Sequence, residues 1–155
     1  MTRRQVLLQL AAMTGAMASS QVYASAQAKT LVRVYKDANC GCCQKWVDHM
    51  AASGFATEVT NTREVSSIKT AHNVKPPLWS CHTALVGEYV VEGHVPAADV
   101  KRLLAEKPQG VIGLAIPGMP ASAPGMDLTP FQPYDVLAFD AQGRTTVFAK
   151  HDRPA

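Results

Sequence analysis

The sequence predicts an α/β fold, on three observations. Apolar, β-branched runs alternate with helical patterns in the order β, α, β, α, then a β-hairpin, then α. Three cysteines crowd the first hand-over from strand to helix. A stretch rich in Gly, Pro and Met and a second hairpin then close the chain.

Residues 30–35 carry Leu31, Val32 and Val34 in a short aliphatic run that reads as a buried or half-buried strand. Residues 36–39, from Lys36 to Asn39, read as a loop. From Cys43 onward, Trp46, Val47, Met50 and Ala51 recur at helical spacing, and Ser53-Gly54 stops the helix. Residues 55–60 alternate like a second strand. Residues 64–72 set Val65, Ile68 and Ala71 on one side of a short helix that ends at Asn73. Pro76 and Pro77 forbid its continuation and predict an extended approach to Cys81. Residues 83–86 form a strand, Gly87-Glu88 a turn, and residues 89–93 its hairpin partner. Pro96 opens a helix that runs through Ala105 and stops before Pro108.

This is the order of a thioredoxin- or glutaredoxin-like domain: a sheet with flanking helices and an active turn at the first strand-to-helix junction. In such a fold, the loop entering the third strand faces that turn. Cys81-His82 lies on that loop and is therefore expected to return to the cysteine cluster. Residues 113–133 form the Gly/Pro/Met-rich loop, with two similar pieces, Pro117-Gly118-Met119-Pro120 and Pro124-Gly125-Met126. Residues 134–151 predict a C-terminal β-hairpin turning at residues 141–144. No long repeat or second domain is visible.

The start of the chain reads as a signal peptide over residues 1–28. Arg3 and Arg4 precede an apolar stretch from Val6 to Ala18, and Ala26-Gln27-Ala28 offers a small-x-small cleavage site. The paired arginines also resemble a twin-arginine signal; an uncleaved anchor is the competing reading. Cleavage after Ala28 leaves a single domain, residues 29–155, of net charge +1 with histidines neutral. No basic field remains to recruit nucleic acid or an anionic membrane. The expected compartment is the bacterial periplasm.

Export places the four cysteines where unligated thiols tend to pair. Cys40, Cys42 and Cys43 share one turn, however, and adjacent cysteines are awkward to bridge. Soft thiolates favour Cu(I), zinc and iron–sulfur clusters. Structural zinc draws on two separated pairs, and iron–sulfur ligands spread over longer loops. Cu(I) accepts few thiolates and lets one sulfur bridge two ions, so Cys40, Cys42, Cys43 and Cys81 point to copper, with room for more than one ion. A helix N-terminus beneath the turn is expected to lower thiol pKa. The alternative is a metal-free thiol–disulfide oxidoreductase using the C-x-x-C pair Cys40 and Cys43; zinc and plain stabilising disulfides also stay open.

His94 follows the hairpin at the end facing the turn and is a candidate imidazole ligand suited to Cu(II) as well as Cu(I); capping the next helix is the competing role. His82 reads as pinned beside Cys81 rather than ligating. His49 and His72 read as solvated helix positions, and His151 as close to a frayed terminus. Met119 and Met126 are thioethers held in rigid turns, candidate ligands or edge packing. Trp46 and Trp79 are expected to shelter the site or fill the core.

Taken together, Cys40-Gly41-Cys42-Cys43-Gln44-Lys45-Trp46, Cys81-His82-Thr83, the run from Tyr89 to Pro96 ending Gly93-His94-Val95-Pro96, and the run from Gly113 to Pro120 resemble the CopG-type copper-resistance proteins. These are exported bacterial proteins catalogued as a metal-binding domain of unknown function. The resemblance covers nearly all of the mature chain. It implies a thioredoxin-like fold, a copper site at Cys40, Cys42, Cys43, Cys81 and His94, and work alongside other periplasmic copper-handling proteins. A copper oxidoreductase activity stays open on the same residues.

Overall fold

The computed structural model describes residues 28–154. Apart from Ala28, the signal peptide expected over residues 1–28 lies outside them. The elements are β1 (Leu31–Lys36), α1 (Gly41–Ala52), β2 (Ala56–Asn61), α2 (Val65–Ala71), β3 (Thr83–Val86), β4 (Tyr89–Glu92), α3 (Ala97–Glu106), β5 (Gly113–Ala115), β6 (Tyr134–Phe139) and β7 (Thr145–His151). All seven strands form one sheet in the order β2-β1-β3-β4-β5-β6-β7. β1 runs parallel to β2 and antiparallel to β3, β3 antiparallel to β4, and β4 parallel to β5. β6 and β7 continue the sheet antiparallel. The fold is mixed α/β.

Alternation along β1 buries Val32 and Val34 on one face, where they meet Trp46, Val47 and Met50 of α1 and Val100 and Leu103 of α3. Each such side chain contributes about 1.5–3 kcal/mol by leaving water. The opposite face holds a smaller cluster of Val74, Leu78, Val90, Ala115 and Phe139. α1 is thus clamped along its length, and its N-terminal cysteine turn rests on a rigid floor.

Two expectations need correcting. The approach to Cys81 is not simply extended, because Pro76–Leu78 closes a 3₁₀ turn whose first residues are prolines that need no donor. The Gly/Pro-rich segment also begins with a strand, β5, which joins the C-terminal hairpin to the main sheet. α3 fastens that hairpin from its flank. The Arg102 guanidinium lies 3.7 Å from the Phe148 ring centroid and donates to the Phe148 carbonyl. His151 Nε2 lies 2.8 Å from Asp99 Oδ2, and its ring stacks on Tyr134. His151 therefore ends a paired strand rather than a frayed tail.

Candidate metal centre

α1 begins at Gly41 with Cys40 as its N-cap, so Cys40, Cys42 and Cys43 lie on its first turn. That turn brings positions three apart together. Cys40 and Cys43 are joined by a disulfide with their Cα atoms 5.3 Å apart. This is the C-x-x-C pair. The adjacent cysteines are not bridged, since Cys42 is unbonded. Cys40 Sγ and Cys42 Sγ are 3.5 Å apart.

Cys81, on the loop entering β3, does return to this turn. The four sulfurs all lie within 4.8 Å of one another, with Cys43 buried and the others half-buried. Burial, reinforced by the Cys42 thiol beside it, pushes the Cys81 thiol up to about 12. The lowering expected at a helix N-terminus does not reach Cys81, which arrives from a loop.

A second donor group shares Cys81. Its sulfur lies 2.9 Å from His94 Nε2 and 3.3 Å from His82 Nδ1, and the three donor atoms lie within 4.8 Å of one another. His94 is fully buried and does not cap α3, whose N-cap is Pro96. Its Nδ1 sits 2.7 Å from the Pro124 carbonyl. A carbonyl only accepts, so in the neutral ring Nδ1 carries the proton and Nε2 presents its lone pair to Cys81. Burial lowers the His94 pKa against the pull of that carbonyl and of Asp127. His82 is held well below the usual imidazole range by burial, then by His94, Lys69 and Lys36. Its Nε2 has no hydrogen-bond partner among the described residues. Both rings are therefore neutral donors at pH 7.

Supporting residues fix these positions. Glu92, wholly buried, accepts the Ser80 N–H at 2.7 Å, the Thr83 hydroxyl at 2.7 Å and the Lys69 ammonium. The residue before Cys81 is thereby tied to β4, two residues ahead of His94. Gly93, between them, has φ +76°, and a Cβ there would stand 2.5 Å from Ser80 Oγ. Residues 117–126 roof the turn: Ser80 Oγ donates to the Gly118 carbonyl, and a Cβ on Gly125 would stand 2.9 Å from the Cys42 carbonyl. Trp46 donates to the Val95 carbonyl and tilts its ring 4.4 Å from His82, both filling the core and shielding the site. Trp79 joins the opposite cluster instead. Met119 is exposed and Met126 half-buried.

His49 and His72 lie away from this group. His49 is half-buried rather than solvated, and its Nε2 accepts the Ala97 N–H at 3.1 Å. His82 belongs to this donor group, whereas the sequence reads it as merely pinned beside Cys81. The available signal was parity: His82 shares the face of Ala84 and Val86, and that face is core.

Sulfur and imidazole together form a soft-to-borderline donor set, which suits copper and also accommodates zinc. With the Cys40–Cys43 bond closed, the thiols of Cys42 and Cys81 remain; with it open, there are four.

A family described as "Protein of unknown function, DUF411" matches residues 78–126. Two solved structures of copper resistance protein CopG, Form 1 and Form 2, resemble the chain at 35% and 36% identity. Each alignment covers 79% of this chain and 98% of the other, with a TM-score of 0.74. No curated protein matches the sequence.

Proposed function

The chain belongs to the CopG-type family of copper resistance proteins, and on that premise we propose that it binds copper in the periplasm, sequestering Cu(I) through Cys40, Cys42, Cys43 and Cys81 with His94 at the edge of the site. The observation that carries this reading is the convergence of four sulfurs within 4.8 Å from two distant parts of the chain. Once a thiol reductant opens the Cys40–Cys43 bond, the four thiolates would hold Cu(I), and the imidazole would let the same site tolerate Cu(II), so a cycle between the two ions, with an external electron acceptor and donor, is part of the proposal. Other periplasmic copper-handling proteins are the proposed donors and acceptors. Export rests on residues 1–28 of the sequence. A thioredoxin-like reading of residues 31–106 is supported by the strand order β2-β1-β3-β4, with β1 parallel to β2 and β3 antiparallel to both of its neighbours.

The Cys40–Cys43 bond favours a second reading, metal-free thiol–disulfide exchange. One experiment separates the two. The mature chain is produced anaerobically with copper or zinc, and bound metal and free thiols are counted. Stoichiometric copper that disappears in Cys81→Ser supports the copper site. A metal-free protein whose Cys40/Cys43 dithiol, regenerated from the disulfide by dithiothreitol, reduces insulin overturns it.

A further inference from the structure

Among the described residues, Lys36, Lys69, Glu92 and Asp99 are the charged side chains buried in the fold. Lys69 pairs with Glu92, and Asp99 with His151. Lys36, only 3% exposed, has no such partner. No carboxylate of the described residues stands within ion-pair distance of its Nζ. That nitrogen donates to the Asp37 carbonyl at 3.1 Å, while the Asp37 carboxylate takes the Asn39 N–H instead. Lysine is almost never fully buried unless paired, because an uncompensated ammonium in a low dielectric is costly.

The fold shows where the missing negative charge belongs. Lys36 ends β1 on the face of Val32 and Val34, the face covered by α1. The β1–β3 register pairs Val34 with Ala84 and Tyr35 with Thr83; one step further sets Lys36 opposite His82. His82 in turn touches Cys81, and Cys40 follows Lys36 by four residues. The Asp37 carbonyl that accepts from the Lys36 ammonium also accepts the Cys40 N–H at 3.1 Å, so the ammonium stands at the foot of the cysteine turn.

We infer that Lys36 is the counter-cation of the thiolate site, a positioning residue whose buried charge is balanced only when the cysteines are anionic. With up to three Cu(I) ions bound, four thiolates keep a net negative charge, which a fixed cation offsets. With Cys40 and Cys43 bonded, that negative charge is absent and Lys36 is a liability. The inference rests on the thiolate–copper reading for one of its two measurements and is independent of it for the other.

The test compares the mature chain with Lys36→Met, Lys36→Gln and Lys36→Arg. Cu(I) affinity is measured by competition with a chelator, the Tm on the metal-free oxidised protein, and the Cys40–Cys43 equilibrium against dithiothreitol. The neutral variants should bind Cu(I) about tenfold or more weakly and favour the disulfide by about tenfold, roughly 30 mV for two electrons. Their oxidised Tm should hold or rise, because an unpaired buried charge has gone. Lys36→Arg should restore binding and equilibrium. Neutral variants within twofold of wild type in both Cu(I) affinity and the Cys40–Cys43 equilibrium overturn the inference. So does a fall in Tm with the disulfide equilibrium unmoved, which marks a merely structural lysine. If the wild-type chain takes up no copper, the copper reading fails by itself. The dithiothreitol equilibrium then decides: a tenfold shift supports the counter-cation role, and no shift overturns it.

Discussion

Cys81 Sγ and His94 Nε2 stand 2.9 Å apart, although they arrive from opposite ends of one hairpin. β3 and β4 pair Thr83 with Glu92, so the residues just outside that pair, at 81 and 94, open into the same chamber. A two-strand register thus converts a separation in sequence into a thiol–imidazole contact. Replacing His94 by Ala should leave the Cu(I) count intact while changing the Cu(II) absorption spectrum or the copper potential. Unchanged spectra and potential return His94 to a structural role.

Gly125→Ala should disturb the site without touching a donor. Its Cβ meets Trp46 N at 2.8 Å and the Cys42 carbonyl at 2.9 Å, both backbone atoms that cannot swing aside. The positive φ of +87° adds strain of about 1–3 kcal/mol. The roof must lift, and the Pro124 carbonyl leaves His94 with it. Copper affinity should fall about 10–100-fold, the range for residues that orient ligands. Metal titration of the variant checks this; unaltered affinity with intact folding refutes it.

Lys69→Met should strand the Glu92 carboxylate in a fully buried position. The loss expected is about 3–5 kcal/mol, measured by chemical denaturation. A double variant, Lys69→Met with Glu92→Gln, should recover much of it, because Gln keeps an acceptor for the Ser80 N–H. Additive losses in the double variant count against a buried ion pair.

The stability of the chain should decline on the acid side, with His49 contributing. Burial lowers its folded pKa below the unfolded value of 6.5, and Asp127 opposes this in part. The unfolded chain then binds the extra proton first, so the His49 contribution is complete above pH 6.5 and drains away as pH falls below it. Protonation also removes the acceptor for the Ala97 N–H. Denaturation midpoints at pH 7.5 and 5.5 should differ less in His49→Gln than in wild type. An identical difference in both would show that His49 does not titrate with folding.

Much of this arrangement was legible before any coordinates. The order of strands and helices places the loop entering β3, and Cys81 with it, opposite the cysteine turn, because in a thioredoxin-like order that loop faces the first strand-to-helix junction. β5 was hidden. Three residues at the head of a Gly/Pro-rich stretch carry no usable period, and Gly113 becomes a strand residue only because β4 and β6 stand on either side of it. Its Cβ would lie 2.2 Å from the Val90 carbonyl, so glycine reports on crowding here and not on a turn. A lysine after a strand ordinarily starts a loop; the burial of Lys36 depends on what lies across the sheet. The C-x-x-C spacing marks Cys40 and Cys43 as a pair that one helical turn can bridge, but whether the bond is closed is not written in the spacing.

The roof over the cysteines has a consequence in time as well as in space. The thiols of the first helical turn leave the ribosome about eighty residues before Gly125, the residue that packs against them. At ordinary elongation rates of roughly 5–20 residues per second, that interval lasts several seconds. During it, three nucleophilic sulfurs have neither lid nor fourth partner in its final place. The reducing cytosol keeps those thiols unpaired during synthesis, so wrong pairing opens only once an exported chain meets an oxidising compartment, and there closure of the loop ends the exposure.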